Sequence, residues 1–237
     1  MRWTVISIYL VSILHIHFRG RVRLPLGRQL FDHSSFMAPI TFLIHLLPRV
    51  PATPYHAVSE FPELAPLAQQ WRTVRAEAEQ LLALQKIQAA AKNDDAGFNS
   101  FFKNGWKRFY LKWYDASHPS AERLCSRTFA LLRAIPSVKA AMFAELPPGG
   151  KLNAHRDPFA GSLRYHLGLL VPKSPGECRI FIDGEPHYWH EGKGLLFDGR
   201  IAEDFKLSTG TFVSVGPLRA RVISQGAPYV QDVVVTG

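Results

Sequence analysis

From Val138 onward the chain is cut into short β-like runs, AAMFAEL, SLRYHLGLLV, CRIFI, HYW and GLLF. The separators are PPGG at 147–150, DG at 183–184 and EGKG at 191–194, groups whose glycines and prolines turn the backbone. Several short strands with turn signals predict a mainly β core, an antiparallel sandwich or barrel.

Within that core one cluster carries chemistry. His155, Arg156 and Asp157 form an H-x-D triplet just after the PPGG turn. On extended backbone, residues i and i+2 share a side, so the His155 imidazole and the Asp157 carboxylate can reach one cation. A surface polar pair gives the same triplet, and the sequel decides between them. Arg164 and His166 alternate with Leu163, Tyr165 and Leu167, which puts the polar pair on one face of a strand. A buried arginine is costly unless it meets an anion, and a dicarboxylate cosubstrate supplies one through a bidentate contact. Histidine and carboxylate ligands on one side of Fe(II) leave positions for 2-oxoglutarate and O2. His187 and His190, beside Trp189, are expected at the surface.

The amino-terminal part has another character. Trp3 to Phe18 is a nearly unbroken apolar run of about 16 residues, close to the ~20 needed to span a bilayer. Arg19, Arg21, Arg23 and Arg28 follow it, and only Arg2 precedes it. No small-residue cleavage site follows, so the run is expected to stay as a membrane anchor, with a transmembrane helix as one form. The basic cluster places the rest of the chain on the cytoplasmic side of the inner membrane. A second apolar stretch, Phe36 to Leu47, is shorter; residues 1–47 together form the anchoring region. A buried helix pair is the alternative for both runs.

Residues 48–66 hold five prolines and are expected to be an extended linker. The remainder, 67–237, divides into a helical lead-in over 67–134, a β core over 138–198 and an atypical tail over 199–237. Residues 67–92 predict an amphipathic helix with Trp71, Val74, Ala78, Leu81 and Leu82 on one face, and 119–134 predicts a second helix. The block 97–114, GFNSFFKNGWKRFYLKWY, interleaves basic and aromatic residues. It reads either as strands and loops packing on the core or as a rim that meets phosphate and acyl chains.

The formal net charge of +9 favours anionic partners. No RGG, RNP-like or zinc-finger pattern points to nucleic acid. The two cysteines, Cys125 and Cys178, imply neither a disulfide framework nor a CxxC motif and read as packing thiols.

The run LPPGGKLNAHRDPFAGSLRYHLGLLVP, followed by DGE, W-x-EGK and FD, resembles the aspartyl/asparaginyl β-hydroxylase family. Its membrane-bound lipid A hydroxylase branch is the most similar. That likeness extends to HFRGRVR at 17–23, RQLFDHSSFMAPI at 28–40 and GFNSFFKNGWKRFYLKWYDASHPSA at 97–121. It implies a double-stranded β-helix of the jelly-roll kind with flanking helices. The implied reaction consumes Fe(II)-activated O2 and 2-oxoglutarate. The implied substrate is a secondary acyl chain of lipid A, or another anionic lipid, hydroxylated next to its carbonyl. His155 matches a metal ligand, and Arg164 and His166 match positions that hold 2-oxoglutarate. Asp157 fills a place that is not acidic in every branch.

After FD the pattern breaks. The family carries a second metal-binding His and, about ten residues on, an Arg for 2-oxoglutarate. Here no His follows His190; by spacing, Glu203 occupies the His position and Val213 the Arg position, with Arg219 and Arg221 the later cations. Three readings follow: a shifted reading frame beyond Asp198, an inactive membrane-associated pseudoenzyme, or iron held by His155, Asp157 and Glu203. A peptidyl aspartyl/asparaginyl hydroxylase is the alternative activity.

Overall fold

The computed structural model describes residues 2–19, 23–47, 50–51, 53–84, 88–89, 107–114, 118–146, 151–155, 160–172, 178–198, 203–206 and 210–219. For 33, 88–89, 107, 151–155, 203–206 and 210–219 it describes the backbone alone.

The first apolar run forms α1 (Arg2–Phe18), followed by α2 (Leu26–Leu30), α3 (His33–Phe36) and α4 (Ala38–Leu46). α1 folds back on α4, with the His15 ring 4.9 Å from Phe42 and its Nε2 3.3 Å from His45 Nδ1. At 17 residues α1 is about 25 Å long, under the ~30 Å of a bilayer core. Among the described residues no helix is long and apolar enough to cross a membrane, so α1 does not meet the expectation of a transmembrane helix.

The described part of 48–66, residues 50–51 and 53–66, is not an extended linker. It contributes β1 (Tyr55–His56) and two 3-10 turns, Val58–Glu60 and Pro62–Leu64. Val50, Phe61 and Leu64 are buried in the main core, because the apolar residues between the prolines have a sheet to cover.

Each long helix predicted in the lead-in is two helices. α5 (Ala65–Gln69) and α6 (Trp71–Ala83) break at Gln70, and β2 (Gln88–Ala89) follows where helix was expected. Val74, Ala78 and Leu81 of α6 are buried, with Trp71 and Leu82 partly so, on the face read from the sequence. β3 (Lys107–Trp113) then leads to α7 (Pro119–Leu124) and α8 (Ser126–Arg133), which break at Cys125. There Glu77 of α6 caps α8, its carboxylate accepting from the amides of Arg127 at 3.0 Å and Thr128 at 2.9 Å. Burial, with Glu77 nearby, pushes the Cys125 thiol up to about 12, consistent with an inert packing thiol.

Among the described residues eight further strands follow: β4 (Ala140–Leu146), β5 (Lys151–His155), β6 (Ser162–Leu170), β7 (Arg179–Ile182), β8 (Glu185–Tyr188), β9 (Gly194–Phe197), β10 (Glu203–Lys206) and β11 (Gly210–Arg219). With β1, β2 and β3 they form two antiparallel sheets ordered β1-β9-β6-β11-β4-β3-β2 and β5-β10-β7-β8. Apart from the β7–β8 hairpin, successive strands from β4 to β11 alternate between the sheets, the winding of a jelly roll. The segment 199–237, read as an atypical tail outside the core, instead supplies β10 inside the smaller sheet and β11 between β6 and β4 in the larger one.

The DG turn is a two-residue hairpin loop. Asp183 and Gly184 have φ of 51° and 83°, and Ile182 pairs with Glu185 across them. At the EGKG turn Gly192 has φ of 71°, and a Cβ there would lie 2.7 Å from Trp71 Nε1, so the indole is seated against bare backbone.

Candidate active site

β6 lies in the middle of the larger sheet, and every residue from Ser162 to Leu169 is buried. The alternation read from the sequence therefore separates two buried faces. α6 packs against β6, and Leu163, Tyr165 and Leu167 belong to the main core. The other face carries Arg164 and His166, 1% and 0% exposed. His166 stacks on Trp189 at 5.8 Å between centroids and meets the edge of Phe197 at 4.6 Å. Burial first, then the positive Arg164 and the nearby His187, hold the His166 imidazole well below its usual pKa. It is neutral at physiological pH, able to donate from one ring nitrogen and accept at the other.

The smaller sheet brings one residue of the pattern break, Glu203, beside His155. His155 closes β5, Glu203 opens β10, and the two are direct ladder partners. Opposed residues of an antiparallel pair share a sheet face, so positions 155 and 203 stand side by side. Sequence counting put Glu203 in the place of a ligand; the ladder adds that its neighbour is His155. Asp157 lies outside the described residues. Among the described residues no group of three His, Cys, Asp or Glu is placed to hold a metal ion, and Asp157 and the side chains of His155 and Glu203 fall outside that set.

On β11 the register separates two positions that counting could not. Val213 pairs with Leu167 and Phe143, whereas Ser214 pairs with His166 and Met142. Ser214, not Val213, is therefore opposite the polar face of β6. Arg219 pairs with Ser162 at the far end of β11, and Arg221 lies outside the described residues.

The expectation for His187 is corrected. It is half-buried on β8, its ring 5.5 Å from Tyr55, and its charge is felt at His166. The hairpin folds β8 back beside β1, and the Tyr55 hydroxyl donates to Glu185 O at 2.7 Å, joining the two sheets. His190 is exposed, as expected. Tyr55 was not legible as a neighbour of His187, because β1 is recruited from the proline-rich stretch, which the amide of the buried Asp198 ties down by donating to Pro54 O at 3.0 Å.

A family model described as Aspartyl/Asparaginyl beta-hydroxylase matches residues 68–202, more than half of the chain. An ornithine lipid ester-linked acyl 2-hydroxylase of Rhizobium tropici is 32% identical over 146 residues, 61% of this chain and 52% of that protein. An aspartate beta-hydroxylase domain-containing protein 2 of Xenopus tropicalis is 31% identical over 178 residues, 73% of this chain and 46% of that protein. The chain thus spans about half the length of the curated relatives it matches. Among solved structures, a Pseudomonas putida prolyl-4-hydroxylase is similar at 20% identity and a TM-score of 0.41, covering 64% of this chain and 86% of its own. The matched family region contains His155, Arg164 and His166 and stops at the residue before Glu203. The chain belongs to the aspartyl/asparaginyl beta-hydroxylase family.

Proposed function

We propose that the chain is an Fe(II)- and 2-oxoglutarate-dependent dioxygenase that hydroxylates an acyl chain of an anionic lipid, lipid A being the expected substrate. The observation that carries this reading is the ladder pairing of Glu203 with His155. It would give iron an imidazole and a carboxylate from adjacent positions, a donor pair suited to Fe(II), and Asp157 would add a second carboxylate. The double-stranded β-helix implied by the family suits the strand winding.

Arg164 and His166 would hold 2-oxoglutarate. A buried guanidinium fits a dicarboxylate through two parallel N–H···O bonds, and neutral His166 beside it adds a hydrogen bond without a second charge. Iron at this site would supply the O2 chemistry: one oxygen atom enters a substrate C–H bond and the other enters succinate as 2-oxoglutarate loses CO2. The burial of β6 would exclude water from a cosubstrate held there.

A lipid substrate is supported by the Rhizobium tropici relative, whose name states an acyl 2-hydroxylase. The net charge of +9 suits a phosphorylated lipid at an anionic leaflet, with the catalytic domain on the cytoplasmic side. Mass spectrometry of lipid A from cells expressing the chain tests the reading. A species heavier by one oxygen, absent with His155→Ala, is expected. No such species with iron and 2-oxoglutarate supplied, or a hydroxylated Asp/Asn peptide instead, overturns it.

A further inference from the structure

Two aromatic rings confine the His166 imidazole. Trp189 lies across its face, with centroids 5.8 Å and planes 23° apart, and Phe197 meets its edge at 4.6 Å and 89°. Offset stacking and edge contact at such separations are favoured arrangements of aromatic rings. Phe197 is the ladder partner of Arg164, so its place follows from the sheet. Trp189 has no such support from the larger sheet. It lies just past the end of β8, in the smaller sheet, yet it is 3% exposed and packed on β6.

The turn after Trp189 accounts for its place. The Lys193 amide donates to His190 O at 3.1 Å, closing a tight turn in which Gly192 has φ of 71°. This turn is laid on Gly168, two residues beyond His166. The Gly192 amide donates to Gly168 O at 2.8 Å, and the Gly168 amide donates to Lys193 O at 3.2 Å. A Cβ on Gly168 would lie 2.5 Å from His190 O, so the two backbones meet this closely because residue 168 is glycine. From outside, Glu191 pairs with Arg75 of α6 at 3.0 Å and accepts the Val171 amide at 3.3 Å. The Trp189 amide itself donates to Cys178 O at 3.2 Å. The indole therefore projects from backbone fastened on both sides, next to the strand that carries His166.

Resting on the cosubstrate reading of Arg164 and His166 above, we propose that Trp189 is a positioning residue. It fixes the plane of the His166 ring, so that a ring N–H is aimed at a 2-oxoglutarate carboxylate before the cosubstrate arrives. A neutral imidazole has one N–H to offer, and a hydrogen bond weakens steeply as it bends. A ring free to tilt would lose much of that bond. Trp189 acts through His166 in this role.

The test is equilibrium binding of 2-oxoglutarate to the full chain loaded with Fe(II) in the absence of O2. Both the Kd and the number of sites per chain are read. Trp189→Leu is expected to weaken binding about tenfold with the number of sites unchanged, the loss of one hydrogen bond to a charged group. Trp189→Phe keeps a ring to stack and should restore most of the affinity. His190→Gln, an exposed neighbour, should keep all of it. Gly168→Ala forces the turn away from β6 without touching the rings and is expected to weaken binding as Trp189→Leu does. A tryptophan that only fills space gives another pattern: a damaged fold lowers the number of sites and leaves the Kd of the folded chains unchanged.

A wild-type Kd in Trp189→Leu overturns the positioning role, whatever happens to the number of sites. So does equal weakening in the Leu and Phe variants. Should Trp189→Leu fail to fold, a wild-type Kd in Gly168→Ala overturns it instead. His166→Leu separates this inference from the reading beneath it. Weaker binding in His166→Leu with none in Trp189→Leu sinks the positioning role and leaves the cosubstrate site standing. Unchanged binding in His166→Leu, or no binding by wild type, sinks the cosubstrate site and the positioning role with it.

Discussion

Proton uptake at His166 is resisted by its burial, by Arg164 and by His187, so the folded chain keeps this imidazole neutral where the unfolded chain protonates it. The unfolded state then binds more protons below a pH of about 6.5. Stability is complete above that value and falls as pH drops, by up to about 1.4 kcal/mol per unit. Denaturant unfolding near pH 5 and near pH 7 should show a loss in wild type and a smaller loss in His166→Gln. At Arg164 the fork matters more than the charge. Arg164→Lys should raise the KM for 2-oxoglutarate about tenfold or more, through lost bidentate hydrogen bonds, while the chain still folds. An unchanged KM would remove Arg164 from the cosubstrate site. The Arg164–His166 pair was legible because it follows from period-two alternation within one strand. His187 and the partnership of Glu203 with His155 were not, because both depend on which distant strand lies alongside.

Among the elements, the positive-φ glycine turns at Gly184 and Gly192 differ in what a side chain would meet. At Gly184 nothing lies within 4 Å of where a Cβ would sit, so Gly184→Ala costs only the left-handed backbone, about 1 kcal/mol. Gly192→Ala adds a collision with Trp71 and should cost more, about 2–4 kcal/mol. Paired melting curves test the order; equal losses would mean that Trp71 is not held against the turn. Both turns were legible from DG and EGKG, since glycine marks them directly. The breaks at Gln70 and Cys125 were not, because the helical periodicity runs through both. The second is fixed from outside by Glu77, which accepts the Arg127 and Thr128 amides.

For the whole molecule, the amino-terminal helices leave a broad apolar surface. Phe31 is 93% exposed, Phe36 76% and Leu47 77%, and Trp3, Leu10 and Leu14 add to it from α1. With Arg19, Arg23 and Arg28 following α1 in the chain, we propose that this surface docks on an anionic bilayer. Full-length chain should cosediment with anionic vesicles, less so with neutral ones, and Phe31→Glu with Phe36→Glu should weaken the association. Undiminished cosedimentation would place the contact elsewhere. Composition revealed the apolar runs but not their pairing in α1 and α4, nor the use of the proline-rich stretch to extend the larger sheet. At this scale β10 and β11 add strands to both sheets and set position 203 beside position 155, and the proposed ligation by Glu203 rests on that pairing.

Fe(II) titration of the full chain measures that arrangement most directly, using wild type, His155→Ala, Glu203→Ala and Glu203→His. One iron per wild-type chain is predicted. Binding should be weaker by about 10- to 100-fold or more in each alanine variant, and retained in Glu203→His. Iron affinity in Glu203→Ala equal to wild type, or negligible iron in all four proteins, would contradict the site.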